Sequence, residues 1–292
     1  MRLLRKRGTP YLLLAPTMAL MLIFLLYPLI SIVYFSMQKY NVVQPWDNGF
    51  VGLGNFTQML NDGLFWTSLG FTAKWVVVEV GLQLVGGLIM ALIVNEVFKW
   101  RGAARAILFS PWAVSGVLTT TIWLLLYNPA VGVNKYLADL GLGEYGTSPL
   151  ADADSAFWAA VLAELWRGVP FFAILILADL QSISPDLYEA SHVDGAGRIR
   201  RFWSITLPHL KNAIILATLL RGVWEFNNVD LLYTLTGGGP ANATTTLPLY
   251  VAKVAIDSKE FGYGSALTVA AFLILSFFTI LYLRMAKFGK EE

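Results

Sequence analysis

Six long apolar stretches, separated by shorter polar ones, set the plan of this chain. They run from about Tyr11 to Met37, Trp66 to Val94, Ala104 to Leu126, Phe157 to Ala178, Ala213 to Leu235 and Tyr263 to Leu283. Each is long enough to cross about 30 Å of hydrocarbon as a helix, which takes roughly 20 residues. None alternates apolar and polar side chains at every second position, as the strands of a membrane barrel do. The pattern predicts an all-α, polytopic membrane protein with six transmembrane helices. The second and fifth stretches carry enough polar residues to look weak on hydropathy alone.

The longest polar island on the N-terminal side of the fifth stretch begins at Ser184-Pro185-Asp186. Ser184 suits an N-cap, Pro185 the first helical position and Asp186 the positive end of the helix dipole. A helix of about two turns follows, with Leu187, Ala190 and Val193 on one face. Asp194-Gly195 marks a turn. A second helix, about Arg198 to Thr206, carries Ile199, Phe202 and Trp203 towards the membrane or the spans, and Leu207-Pro208 is expected to end it. Two readings of this helix–turn–helix stand open on the residues alone. It is an amphipathic loop whose Arg198, Arg200 and Arg201 meet anionic headgroups, or a small-residue surface that another protein grips. A nucleic-acid site is excluded, because the basic patch is too short and too near the bilayer.

Composition strengthens the membrane reading. Of 292 residues, 57% are hydrophobic and 14% charged, against about 25% charged in a typical soluble domain. The absence of cysteine removes disulfides and thiol chemistry. His192 and His209, the only histidines, are too few for a metal cluster, so no metal site is expected. The positions of Lys and Arg set the topology. Fourteen of the 21 fall in the N-terminal tail, the loops after stretches two and four, and the C-terminal tail with Lys287 and Lys290. Four (Lys39, Lys135, Lys253 and Lys259) fall in the opposite loops. Both termini and the polar island are thereby predicted to be cytoplasmic. The first stretch lacks a small-x-small cleavage site and reads as a retained span. The whole of 1–292 is expected to form one membrane domain, with 179–210 as its cytoplasmic segment. On the outer side, Asn134 to Leu140 is expected to form a short helix, and Thr236-Gly237-Gly238-Gly239-Pro240 to stop the fifth span.

Charges inside the spans need explanation, since each costs about 2.5–3.5 kcal/mol at the bilayer centre on insertion scales. Arg221, Trp224, Glu225 and Asn228 share one helical face at offsets 0, +3, +4 and +7. An aromatic ring face for the C–H side of a pyranose, beside groups suited to hydroxyls, makes a plausible sugar site. An Arg221–Glu225 pair that only locks helices together is the alternative. Glu164 and Arg167 lie at i, i+3, ahead of Pro170, which is expected to kink the helix or break its hydrogen bonding. Glu79 and Gln83 lie at i, i+4, with Gly86-Gly87 one turn on, and the stretch reads either as a polar seam to the pore or as close helix packing at the glycines. Tyr250 and Trp112 are weaker candidates, since aromatics gather at membrane interfaces. Arg167 and Arg221 permit an anionic substrate. The acids Glu79, Glu164 and Glu225 would also suit a proton- or ion-coupled carrier, but the inverted repeats such carriers show are not evident. No GxxxxGK followed by Ser or Thr is present to hold ATP, and Gly237-Gly238-Gly239 lacks the lysine.

The run Glu189-Ala190-Ser191, then Asp194-Gly195-Ala196, followed by Phe202, Ile205, Leu207 and Pro208, resembles the EAA signature of bacterial ABC importer permeases. Leu180 to Pro185, Tyr233 to Pro240, Phe261 to Ala266, and Asn128-Pro129 through Gly132 and Asn134 resemble the same proteins. Together they point to the carbohydrate branch, the family of the maltose and glycerol-phosphate permeases. The resemblance implies the type I importer fold and a coupling helix formed by Glu189, Ala190, Ser191, Asp194, Gly195 and Ala196, lodged in a dimeric ABC ATPase. It implies a second homologous permease subunit and an extracytoplasmic solute-binding protein as further partners. The cargo would be a sugar or sugar derivative, neutral or anionic, passing Arg221, Trp224, Glu225, Asn228, Arg167, Glu164 and Tyr250. The chain would be no enzyme and bind no cofactor, with ATP and Mg on the ATPase, and would reside in the inner membrane. Ser191 stands where the signature usually has alanine.

Overall fold

The computed structural model describes residues 2–142 and 146–286. Lys287 and Lys290 of the predicted cytoplasmic tail lie outside them. Among the described residues the chain is helical apart from one two-stranded hairpin. It divides into two compact units, Met1–Trp66 with Tyr250–Ile274, and Thr67–Leu249 with Leu275–Glu292.

In the first unit, α1 (Arg2–Met21) and α2 (Tyr27–Ser36) are joined through a π turn, Leu22–Leu26. The π turn ends two residues before Pro28. Proline has no N–H and its ring crowds the carbonyl four residues back, and a wider turn absorbs both without ending the helix. Leu13, Phe24 and Leu29 stand exposed on this helix, as the side chains of a span facing lipid or another subunit would. A short hairpin, β1 (Gln38–Lys39) with β2 (Gly49–Phe50), and α3 (Gly54–Leu60) follow. After α13 (Leu247–Ala252) the chain returns through α14 (Phe261–Ala286). Gly262 opens α14 against β1, where a Cβ would come within 2.1 Å of the Gln38 carbonyl oxygen. Asp62 ties the unit together. Its Oδ2 accepts from the hydroxyls of Tyr250 at 2.5 Å and Tyr263 at 2.6 Å. Partial burial pushes the Asp62 pKa up, but these two hydroxyls and the Leu64 and Phe65 amides outweigh it, so the net shift is downward.

The second unit holds most of α4 (Gly63–Asn95), then α5 (Arg101–Phe109), α6 (Gly116–Leu126), α7 (Val133–Asp139) and α8 (Ala153–Leu180). It continues through α9 (Pro185–Val193), α10 (Arg198–Arg201), α11 (Leu207–Phe226) and α12 (Asp230–Leu235). The most buried helix is α8, started by the Asp152 side chain accepting from the Asp154 and Ser155 amides. It runs as one helix through Pro170. Its backbone lies against α4 so closely that a Cβ on Gly87 would meet Phe172 Cβ at 2.3 Å, so the packing reading of Gly86-Gly87 holds. One apolar cluster gathers Trp75, Phe157, Ala160, Leu231 and Leu232. Another joins Ala91 and Val94 of α4 to Leu180, Ile183 and Leu210.

Among the described residues, four helices are long and apolar enough to cross a membrane: Leu13–Ser36, Gly63–Asn95, Ala153–Leu180 and Phe261–Ala286. The predicted third span is a pair of helices, Arg101–Ala113 and Gly116–Leu126, bent by 97°. Pro111 and the extended Val114 break it, and Ser115 caps the second piece by accepting from the Leu118 amide. The predicted fifth span is α11 followed by α12, interrupted at 227–229. Asn227, Asn228 and Asp230 crowd that break, and short polar side chains there compete with helical hydrogen bonding. Leu207-Pro208 was expected to end the helix from Arg198, and it does not. A π turn over Phe202–Thr206 carries it into α11, the same accommodation of proline seen at Pro28. The short outer helix predicted from Asn134 is α7.

Candidate functional site

Three helices of the second unit bring together side chains that are far apart in sequence. Trp75, Glu79 and Gln83 repeat every four residues on α4 and therefore share a face. Glu164 and Arg167 come from α8, and Arg221 and Glu225 from α11. Arg221 is the centre. Its Nε donates to Gln83 Oε1 at 2.6 Å, and its terminal nitrogen reaches Glu164 Oε1 at 2.5 Å and Glu225 Oε1 at 2.7 Å. Arg167 donates to both Glu164 oxygens, at 2.9 and 3.1 Å. Gln83 Nε2 donates to Glu79 Oε2 at 2.9 Å and Glu225 Oε1 at 3.0 Å. Glu225 Oε2 accepts from Trp75 Nε1 and Asn228 Nδ2, both at 3.2 Å.

The hub is dry. Glu79, Gln83, Glu164 and Trp75 have no exposed surface, and Arg221 and Glu225 retain 4% and 1%. Away from water, charges attract more strongly but have lost their hydration, so geometry decides the balance. Here nearly every donor and acceptor is met. Glu79 Oε1 and Arg167 Nε are the exceptions among the hub's buried polar atoms.

Beside the hub lies a cleft of about 250 Å³, lined by Glu164, Arg167, Arg221, Trp224, Glu225 and Asn228 together with Asn227, Val229 and Asp230. Six of the seven pathway residues named from sequence therefore meet in one place. Trp224 is 48% exposed, packed on one side against Phe171 at 5.1 Å between ring centroids. It leaves surface available to a ligand, while Arg221 and Glu225 are engaged inside. The ion-paired atoms and the exposed ring are thus different parts of one helical face. Tyr250 is not among them: its hydroxyl is bound to Asp62 in the first unit.

Gln83, Trp75 and Gly168 were absent from the predicted pathway set. The 75/79/83 repeat was visible in the sequence. Gly168 was not, because only the approach of α4 reveals it: a Cβ there would lie 2.3 Å from Gln83 Cδ.

The polar island takes the expected shape. Ser184 Oγ accepts from the Asp186 amide, α9 spans two and a half turns, and Gly195 adopts φ +74°. The Ala196 amide closes the turn onto the Ser191 carbonyl at 2.9 Å. Tyr188 pins the segment by its hydroxyl to Thr206 Oγ1, and Ser182 Oγ meets His209 Nε2, both at 2.9 Å. Leu187, Glu189, Ala190, Val193, Asp194 and Gly195 are exposed, and Ala196 is half-buried. Ser191 is instead buried, its Oγ donating to the Tyr188 carbonyl. Ile199 and Trp203, expected against membrane or spans, are exposed within this chain.

The model of the binding-protein-dependent transport system inner membrane component family matches residues 83–288. The chain is 38% identical over 287 residues to the trehalose/maltose transport system permease protein MalF of Thermococcus litoralis, covering 98% of this chain and 96% of that protein. It is 36% identical over 277 residues to the sulfoquinovosyl glycerol transport system permease protein SmoG of Agrobacterium fabrum, covering 94% and 89%. Among solved structures, a bacterial ABC transporter involved in the import of the acidic polysaccharide alginate aligns with TM-score 0.86 at 22% identity, covering 98% of this chain and 99% of that one.

Proposed function

The chain belongs to the binding-protein-dependent transport system inner membrane components, and we propose that it forms half of the pore of an ATP-driven sugar importer. It is a multi-pass inner-membrane permease subunit with the type I importer fold. In this reading a homologous permease supplies the other half. A solute-binding protein delivers the sugar from outside. A dimeric ABC ATPase, holding ATP and Mg²⁺, takes Glu189 to Ala196 in its grooves. Both termini are cytoplasmic, as the distribution of Lys and Arg suggests.

The observation that carries the sugar reading is the cleft of α8 and α11, with a half-exposed Trp224 ring beside Asn228 and the edge of the ion hub. A pyranose presents an apolar C–H face and a rim of hydroxyls, and such a wall offers both complements. Names of relatives point the same way. An anionic cargo is less well served, because Arg221 and Arg167 are both already turned to carboxylates. The test is accumulation of radiolabelled trehalose by the assembled transporter, against competing maltose and a sulfonated sugar glycoside. We expect ATP-dependent uptake that neutral sugars block and Trp224→Ala lowers about tenfold, the size of a lost aromatic contact, with assembly intact. Uptake that follows a proton or sodium gradient without ATP would instead make the chain a secondary carrier.

A further inference from the structure

Gln83 lies outside the cleft, yet it bonds to three side chains of the hub. Its carbonyl oxygen accepts from Arg221 Nε, and its amide nitrogen donates to Glu79 and to Glu225. Only a carboxamide does this without adding charge. A glutamate would keep an acceptor for Arg221 but lose both donors and face two carboxylates. A methionine would fill the volume and bond to nothing. The fit is enforced from the other side: Gly168 lets the α8 backbone lie directly on the carboxamide, where any Cβ would collide with Cδ, Nε2 and Oε1 at 2.3–2.4 Å.

What Gln83 holds then reaches the cleft. Glu225 Oε1 takes the Gln83 amide, while Glu225 Oε2 takes Asn228 Nδ2, and Asn228 lines the cleft. Arg221, oriented by the Gln83 carbonyl, lines it too. We infer that Gln83 is a positioning residue for sugar selection: acting from α4 through Arg221 and Glu225, it sets the orientation of the polar wall that the sugar hydroxyls meet. This rests on the cleft being the sugar's path.

The experiment compares uptake of trehalose and of maltose, each at saturating concentration, by the assembled transporter. Gln83→Met should assemble and lower uptake by at least about tenfold, since one lost hydrogen bond to a charged group is already worth that much and three bonds are removed. It should also change the trehalose-to-maltose ratio, which a general packing defect would lower for neither sugar selectively. Gly168→Ala, which removes no polar group but displaces the Gln83 carboxamide, should shift the ratio in the same direction. In the Asn228→Ala background Gln83→Met should add less than its own factor, because both act through Glu225. An unchanged ratio in both variants, or full additivity, overturns the inference. So does failure of both variants to assemble, which makes Gln83 a structural residue. If the wild type takes up neither sugar, the reading of the cleft falls and this inference with it. Wild-type uptake with an unshifted ratio sinks the inference alone.

Discussion

The hub of α4, α8 and α11 and the segment from Ser184 to Gly197 are both polar stretches in an apolar chain, but they use polarity in opposite ways. In the hub, Arg221, Glu164, Glu225 and Gln83 are buried and bonded to one another. In the segment, Glu189 and Asp194 are exposed and make no side-chain hydrogen bond or ion pair among the described residues. Inside hydrocarbon an unpaired charge is costly, so the hub had to close on itself. In water a free carboxylate costs little, so the segment can keep Glu189 and Asp194 available for another chain. Polarity that is satisfied internally organises this protein, and polarity left open is what the proposed function gives to another chain.

The largest expected effect tests the closed side. Arg221→Ala leaves Glu164 and Glu225 facing each other without their shared cation. Breaking one partner from a buried pair costs about 3–5 kcal/mol. The variant should therefore assemble poorly and melt early, read by co-purification with its partners and by thermal unfolding of the purified complex. Normal assembly with lost uptake would show that Arg221 is not needed to hold the hub closed, and the contrast between closed and open polarity would fail at its centre.

These two regions were not equally legible in the sequence. The segment is governed by local rules. An N-cap, a proline at the first helical turn and an Asp-Gly turn lie within a dozen residues, and all took the predicted form. The hub depends on contacts 57 to 150 residues apart. Offsets along α11 placed Arg221, Trp224, Glu225 and Asn228 on one face, but no local pattern says which of them is engaged inside and which is free. Glu79 and Gln83 carry the spacing of a polar seam, and that spacing does not identify its partner. The missed boundaries share a cause as well. Proline was expected to end a helix at Leu207-Pro208, and a wider turn let it continue. At 227–229 the chain breaks where the polar residues of the predicted fifth span crowd together.

The open side is tested at Gly195. Its φ of +74° is a conformation that L side chains rarely adopt, although the space around it is empty. A leucine there is strained by about 1–2 kcal/mol, enough to distort the turn but not the membrane fold. Gly195→Leu should insert and assemble, hydrolyse ATP, and transport little sugar per ATP. Glu189→Ala should show the same loss of coupling without backbone strain. Tight coupling in both variants would mean that the segment is not where the ATPase acts.

The smallest effect is expected at Ser191, and it separates the two faces of one short helix. Its neighbours Ala190 and Val193 are exposed, but Ser191 is 8% exposed and donates to the Tyr188 carbonyl three residues back. That carbonyl belongs to the helix itself, so removing the hydroxyl strands no distant partner. Alanine also has the higher helix propensity, by a few tenths of a kcal/mol, which offsets the lost bond. Ser191→Ala should therefore change the thermal stability of the complex by no more than about 0.5 kcal/mol. Uptake and ATP consumed per sugar should match the wild type. A measurable loss of coupling would mean that an ATPase senses the buried side of α9 through Tyr188 and Thr206. Open polarity at Glu189 and Asp194 would then be only part of the docking surface, with the packing beneath it supplying the rest.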